Sequence, residues 1–160
     1  MGLDLLVFGP HPDDLEIGLG GIIVQHAARG LRVGLCDLTA GEMGSNGTVD
    51  ERLAEAEAAR VVLGAAWREN LRWPDREIGK HPEHLGQAVA FIRRHQPRVV
   101  AVPYWSDRHP DHVAASAVLT DGSTIEAVYV NFGSIILRGV GPQGSIEVPL
   151  EDVRTLKISR

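Results

Sequence analysis

One cysteine, Cys36, is all the thiol this 160-residue chain carries. It cannot close an intramolecular disulfide, so nothing here calls for an oxidising compartment. Basic charge is also scarce. Sixteen Lys and Arg stand against 21 Asp and Glu, a formal net charge of -5. A nucleic-acid surface needs clustered cations, so no nucleic-acid partner is expected. Apolar runs are short, and none approaches the length that spans a bilayer. The N-terminus lacks a basic stretch followed by a long apolar core, the mark of a secretory signal. A cytoplasmic protein with no membrane partner is the expectation. What the chain does have is 44% hydrophobic and 23% charged residues, enough for one domain with a real core and a small appendage.

The first two-thirds alternates strand and helix patterns. Leu5–Phe8 predicts a buried strand, and 15–29 a helix with Ile17, Gly20, Gly21, Val24 and Ala28 along one side, stopped by Gly30. Residues 31–38 predict a second strand. A second helix over 50–63 starts from the capping-box pattern Thr48-Val49-Asp50-Glu51 and ends at Gly64. A short strand over 70–73, a helix over 82–95 with Leu85, Val89 and Ile92 on one face, and a strand over 99–102 complete the series. This order predicts an α/β fold, a Rossmann-like, mainly parallel sheet with helices on both faces. After Ser116 the pattern turns to short alternating stretches separated by Gly-rich turns, which predicts an antiparallel β-meander or small barrel over 117–160.

Two blocks carry the chemistry. His11-Pro12-Asp13-Asp14 follows the first apolar run, and His109-Pro110-Asp111-His112 follows Val99-Val100-Ala101-Val102. In α/β sheets, ligands bind beyond the carboxyl ends of such strands. His11 and Asp14, three apart at a strand-to-helix turn, can face one point, and His112 can supply a third ligand. Two His and one carboxylate leave a coordination position open, as in catalytic zinc sites. Asp13 can then take a proton from water. His109 can stabilise an oxyanion or protonate a leaving group, and Asp111 can orient an imidazole. The plainer reading is capping: Asp13 with Glu16 matches an N-cap and its box partner, and Pro12 and Pro110 suit helix starts. Capping does not call for His at 11, 109 and 112.

Other residues admit two readings. Gly41, Gly44 and Gly47 form either an ordinary loop or a substrate lid, and Glu42 inside it is either a loop acid or a third candidate substrate contact. Arg52 can reach a substrate anion or pair with an acid such as Glu55 or Glu57. Asp75, after Trp73-Pro74, is a turn acid or an acceptor for a sugar hydroxyl. His26, His81, His84 and His95 read as solvated. Asp37 sits where a Rossmann fold places its ribose-binding acid. The first turn, however, lacks the second and third glycines, and its acids would repel a pyrophosphate.

At these residues the chain resembles the LmbE-like, or PIG-L, zinc-dependent N-acetylglucosamine deacetylases. The likeness runs through Gly9-Pro10-His11-Pro12-Asp13-Asp14-Leu15-Glu16, Leu38-Thr39-Ala40-Gly41-Glu42-Met43-Gly44-Ser45, Arg52 with Glu55, Trp73-Pro74-Asp75, and Pro103 to His112. The stretch from Asp107 to His112 is most similar to the bacillithiol-biosynthesis branch, which deacetylates N-acetylglucosaminyl malate. The resemblance implies zinc, with iron or manganese as substitutes, on His11, Asp14 and His112. It implies Asp13 as general base, His109 as the oxyanion-stabilising cation tuned by Asp111, and Arg52 and Asp75 as substrate contacts. The implied reaction frees acetate and an amine from a small amino sugar. The resemblance covers residues 1 to about 116, a core incomplete relative to the family. Residues 117–160 read as a β-rich unit, arising by fusion of an unrelated fragment, by a frame-shift or in a compact divergent member of the family, and its open edges would pair between chains in a homo-oligomer. The alternative function is a non-catalytic assembly module in which that unit drives self-association.

Overall fold

The computed structural model describes residues 2–120, 127–130, 136–141 and 144–149. Four parallel strands and four helices alternate: β1 (Leu5–Gly9), α1 (Asp14–Ala28), β2 (Val33–Thr39), α2 (Val49–Leu63), β3 (Trp67–Trp73), α3 (Glu83–His95), β4 (Val99–Pro103) and α4 (Pro110–Thr120). β1 pairs in parallel with β2 and β4, and β2 with β3, giving the order β3-β2-β1-β4. The chain runs outward from β1 to β3, then crosses back to β4. The strand order therefore reverses between β1 and β4, and a crevice opens beyond their carboxyl ends.

Both faces of the sheet are covered, which is why β1 and β2 are buried at every position. Alternate side chains feed two cores. Leu6, Phe8, Cys36, Leu38, Val100 and Val102 pack with Phe91 of α3 and Ala115 and Leu119 of α4. Leu5, Val7, Val33, Leu35 and Ala101 pack with Leu15, Leu19 and Ile23 of α1 and Leu63 of α2. The α2 capping box forms as expected, with Thr48 and Glu51 bonded reciprocally, and Gly64 closes the helix at φ 71°.

Two helix faces differ from expectation. On α1 the buried stripe is Leu15, Leu19 and Ile23, while Ile17 is 74% exposed and Val24 44%. Both stripes have helical spacing, so periodicity alone cannot rank them. On α3 the buried residues are His84, Ala88 and Phe91, one position round from Leu85, Val89 and Ile92. Phe91 decides that rotation by packing edge-on against Phe8 and Trp67, with centroids 5.8 and 5.9 Å apart. His84 is buried rather than solvated. It stacks on Trp73 at 4.1 Å, and its Nδ1 accepts the Gly79 amide. β3 starts three residues before its expected position because it is a half-exposed edge strand that reads as polar.

Short strands β5 (Ala127–Val130), β6 (Ile136–Gly141) and β7 (Gly144–Pro149) continue the strand order past β4. The expected meander or barrel falls on this segment, but 117–120 belong to α4, and residues 121–126, 131–135 and 142–143 lie outside the described residues. Among the described residues, no helix is long and apolar enough to cross a membrane.

Candidate active site

The two His-Pro-Asp blocks meet at the switch point. The first spans the β1–α1 turn and the second the start of α4, after β4. Asp14 is the hub. Its Oδ2 lies 3.3 Å from His11 Nδ1 and accepts the His11 backbone N–H at 2.9 Å. Its Oδ1 lies 3.2 Å from His112 Nε2. Burial would raise the Asp14 carboxyl, but the two imidazoles outweigh it and hold the group well below the usual carboxylate range.

Each imidazole has a second carboxylate on its far edge. His11 Nε2 lies 3.1 Å from Asp111 Oδ2 and 3.2 Å from Asp75 Oδ1. His112 Nδ1 lies 3.2 Å from Asp107 Oδ2. Burial opposes the charged ring in both cases. The surrounding acids win, lifting His11 to about 9 and raising His112. An imidazole held by an outer carboxylate, with its inner nitrogen turned to a shared acidic ligand, is the usual arrangement around a bound divalent ion. Ring nitrogens of His11, His109 and His112 also lie within 4.8 Å of one another. The donor set is chemically suited to zinc-like cations, which favour imidazole nitrogen and carboxylate oxygen.

Asp13 is not an N-cap in the bonding sense, for its side chain makes no cap hydrogen bond, and Glu16 is turned to Arg68. The capping reading fails at both positions. Asp13 instead sits at φ 113°, a backbone that costs a non-glycine residue on the order of 1–3 kcal/mol. Its side chain is 61% exposed beside the crevice. Partial burial and the neighbouring Asp14 charge raise its pKa.

His109 is exposed, with its ring 4.9 Å from His11 and 5.0 Å from His112. Its Nδ1 accepts the Asp111 backbone N–H at 3.2 Å, which leaves Nε2 to carry the proton. Here the structure corrects one expectation. The Asp111 carboxylate does not serve His109; it bonds His11 and the Arg76 amide. The Asp111 backbone is what meets His109, because the side chain of a helix's second residue points back across the crevice.

The three expected substrate contacts are tied to the protein itself. Asp75 accepts the Met43 amide at 3.0 Å and donates its own N–H to Glu42 at 2.6 Å, so Glu42 and Asp75 clasp the glycine loop. Burial works to raise Asp75, but the Met43 amide and His11 hold it low. Arg52 pairs with an acid, though with Asp13 at 3.4 Å rather than Glu55 or Glu57, and it bonds the Gly41 and Pro12 carbonyls. A cavity of about 200 Å³ opens beside Asp13, lined by Arg52, Glu55, Ala56 and Ala59 among others.

Two residues escaped the sequence reading. Asp107 braces His112 and accepts the His109 amide. Its place in the second block, two residues ahead of His109, was the available signal. Arg68 on β3 forks onto Asp37 at 2.7 and 2.8 Å and also bonds Glu16. No local pattern pointed to it. This pairing buries Asp37 and removes it as a ribose acceptor.

A profile of the family described as PIG-L, GlcNAc-PI de-N-acetylase, matches residues 6–122. The chain is 35% identical over 118 residues to the diacetylchitobiose deacetylase of Thermococcus kodakarensis, across 68% of this chain and 44% of the relative. It is 31% identical over 149 residues to the 1D-myo-inositol 2-acetamido-2-deoxy-alpha-D-glucopyranoside deacetylase of Mycobacteroides abscessus, across 72% and 53%. The conserved protein TT1542 from Thermus thermophilus has a similar structure, with TM-score 0.73 and 40% identity over 81% of this chain and 66% of that one. The chain spans about half the length of the curated relatives it matches.

Proposed function

The chain belongs to the PIG-L family, described as GlcNAc-PI de-N-acetylase, and on that premise we propose that it is a metal-dependent hydrolase that removes the acetyl group from an N-acetylated amino sugar. One observation carries the reading: His11 Nδ1 and His112 Nε2 both face the Asp14 carboxylate, with Asp13 next in the chain. His11, Asp14 and His112 would hold the ion, with zinc as the first choice and iron or manganese able to substitute. When bound, such an ion supplies Lewis acidity towards a carbonyl oxygen and towards water.

The rest falls to the chain's own side chains. Asp13 takes a proton from the attacking water. It then passes that proton to the departing nitrogen. His109, whose Nδ1 is taken by the Asp111 amide, offers its Nε2–H as a hydrogen-bond donor to the developing oxyanion. The C–N bond of the acetamide breaks, the water oxygen ends in acetate, and the sugar is left with a free amine. Asp75 and Asp111 keep the His11 ring turned towards Asp14.

Two relatives are named for deacetylating acetamido sugars, which supports the substrate class. Within that class we favour N-acetylglucosaminyl malate, on the likeness of residues 107–112 to the bacillithiol branch. The test is acetate release by the zinc-loaded protein from N-acetylglucosaminyl malate and from N-acetylglucosamine. Release from the malate conjugate is expected, abolished by chelation and restored by zinc. Release only from plain N-acetylglucosamine would overturn the malate assignment, and release from neither would overturn the deacetylase reading.

A further inference from the structure

Arg52 stands on α2, yet its guanidinium reaches the turn that carries Asp13. Its Nη2 donates to the Pro12 carbonyl at 2.8 Å and approaches Asp13 Oδ2 at 3.4 Å. Its Nη1 donates to the Gly41 carbonyl at 2.9 Å. The glycine loop leaves room for this fork. A Cβ on Gly41 would collide with Nη1, and one on Gly44 would lie 2.6 Å from the same atom. Gly41 also holds φ +65°, which a side chain would strain.

The Asp13 backbone, at φ 113°, needs fastening. Such a conformation persists only where the surroundings over-determine it. Arg52 grips the turn on both sides of the strained residue's amide, through the Pro12 carbonyl before it and the Asp13 carboxylate after it. We propose that Arg52 is a positioning residue whose planar fork clamps the Pro12–Asp13 turn to the loop at Gly41, and so sets where the Asp13 carboxylate meets the reacting atoms. This differs from a receptor for a substrate anion, because the fork is turned towards two carbonyls and a carboxylate of the chain itself. The inference rests on the deacetylase reading for its kinetic consequence, and on geometry alone for its structural one.

The test compares wild-type protein with Arg52→Lys, Arg52→Gln and Gly41→Ala, all zinc-loaded, on N-acetylglucosaminyl malate and N-acetylglucosamine. All three variants should retain zinc. They should lose about a hundredfold in kcat on both substrates, the scale of a misplaced catalytic group, with KM little changed. Lysine keeps the charge but not the fork, so it should stay impaired. Gly41→Ala should act like the Arg52 variants although the arginine is intact. A rise in KM confined to the malate conjugate would identify an anion receptor and overturn the clamp. Full activity in Arg52→Lys would overturn it too. Amide exchange gives a reading independent of activity. The Asp14 and Ile17 amides, bonded to the His11 and Asp13 carbonyls, should exchange faster in Arg52→Lys, with α3 unaffected. Unchanged exchange at both would sink the proposal. If wild type releases no acetate, the deacetylase reading fails while the exchange result still decides the clamp.

Discussion

The Asp107 carboxylate lies 3.2 Å from Nδ1 of His112, on the ring edge opposite the one that faces Asp14. Its charge favours a proton on Nδ1 and so leaves Nε2 as the nitrogen turned to Asp14. Asp107→Ala should therefore weaken zinc binding by about 10- to 100-fold while leaving all three proposed ligands in place. Titration against a chromophoric chelator measures this, and equal affinity in variant and wild type would remove Asp107 from the role.

Asp13→Asn keeps the shape of the side chain and suits a positive φ better than most residues do. It removes the base without removing a proposed ligand. Turnover should fall by about a hundred- to ten-thousandfold with zinc content unchanged. Loss of the metal in this variant would mean that Asp13 is a ligand.

Arg68 is buried between Asp37 and Glu16 and bonds the Ala56 carbonyl as well. Arg68→Ala would leave two acids facing each other with no cation between them. Such a loss costs about 3–5 kcal/mol. Urea unfolding should show it, and adding Asp37→Asn should recover part of it. A variant as stable as wild type would contradict the pairing.

His11 links stability to pH. Burial disfavours its charged ring, but Asp14, Asp111 and Asp75 outweigh burial and lift the pKa from 6.5 to about 9. A folded-state pKa above the unfolded one means that charge on His11 stabilises the fold below pH 6.5. That contribution drains away as pH rises from 6.5 through about 9. The melting temperature of the zinc-free protein should fall across this interval. Saturating zinc, which takes the neutral ring, should flatten the fall. A level profile without zinc would count against the His11 contacts.

Much of this was legible in the chain. The alternating apolar runs, Gly64 and the Thr48–Glu51 box marked the layered α/β core because each is a local signal. The first and second blocks could be matched to strand ends for the same reason. The buried face of α1 could not be ranked because a helix with apolar residues on several sides has no preferred face until a sheet is laid against it, while α3 turns by one position because Phe91 packs on Phe8 and Trp67. Arg68, on a polar edge strand, gave no sign of its partners at Asp37 and Glu16, which lie 31 and 52 positions away.

Residue types and their spacing determined by themselves that imidazoles and carboxylates would sit at strand ends, since strand, turn and helix propensities act over a few neighbours. Only the tertiary structure decided which carboxylate serves which ring. Asp111 went to His11 rather than His109, and Asp107 to His112. The reversal of strand order between β1 and β4 brings segments about a hundred residues apart within hydrogen-bond reach. Partner choice at that range depends on where side chains point across the crevice, and no local rule encodes it.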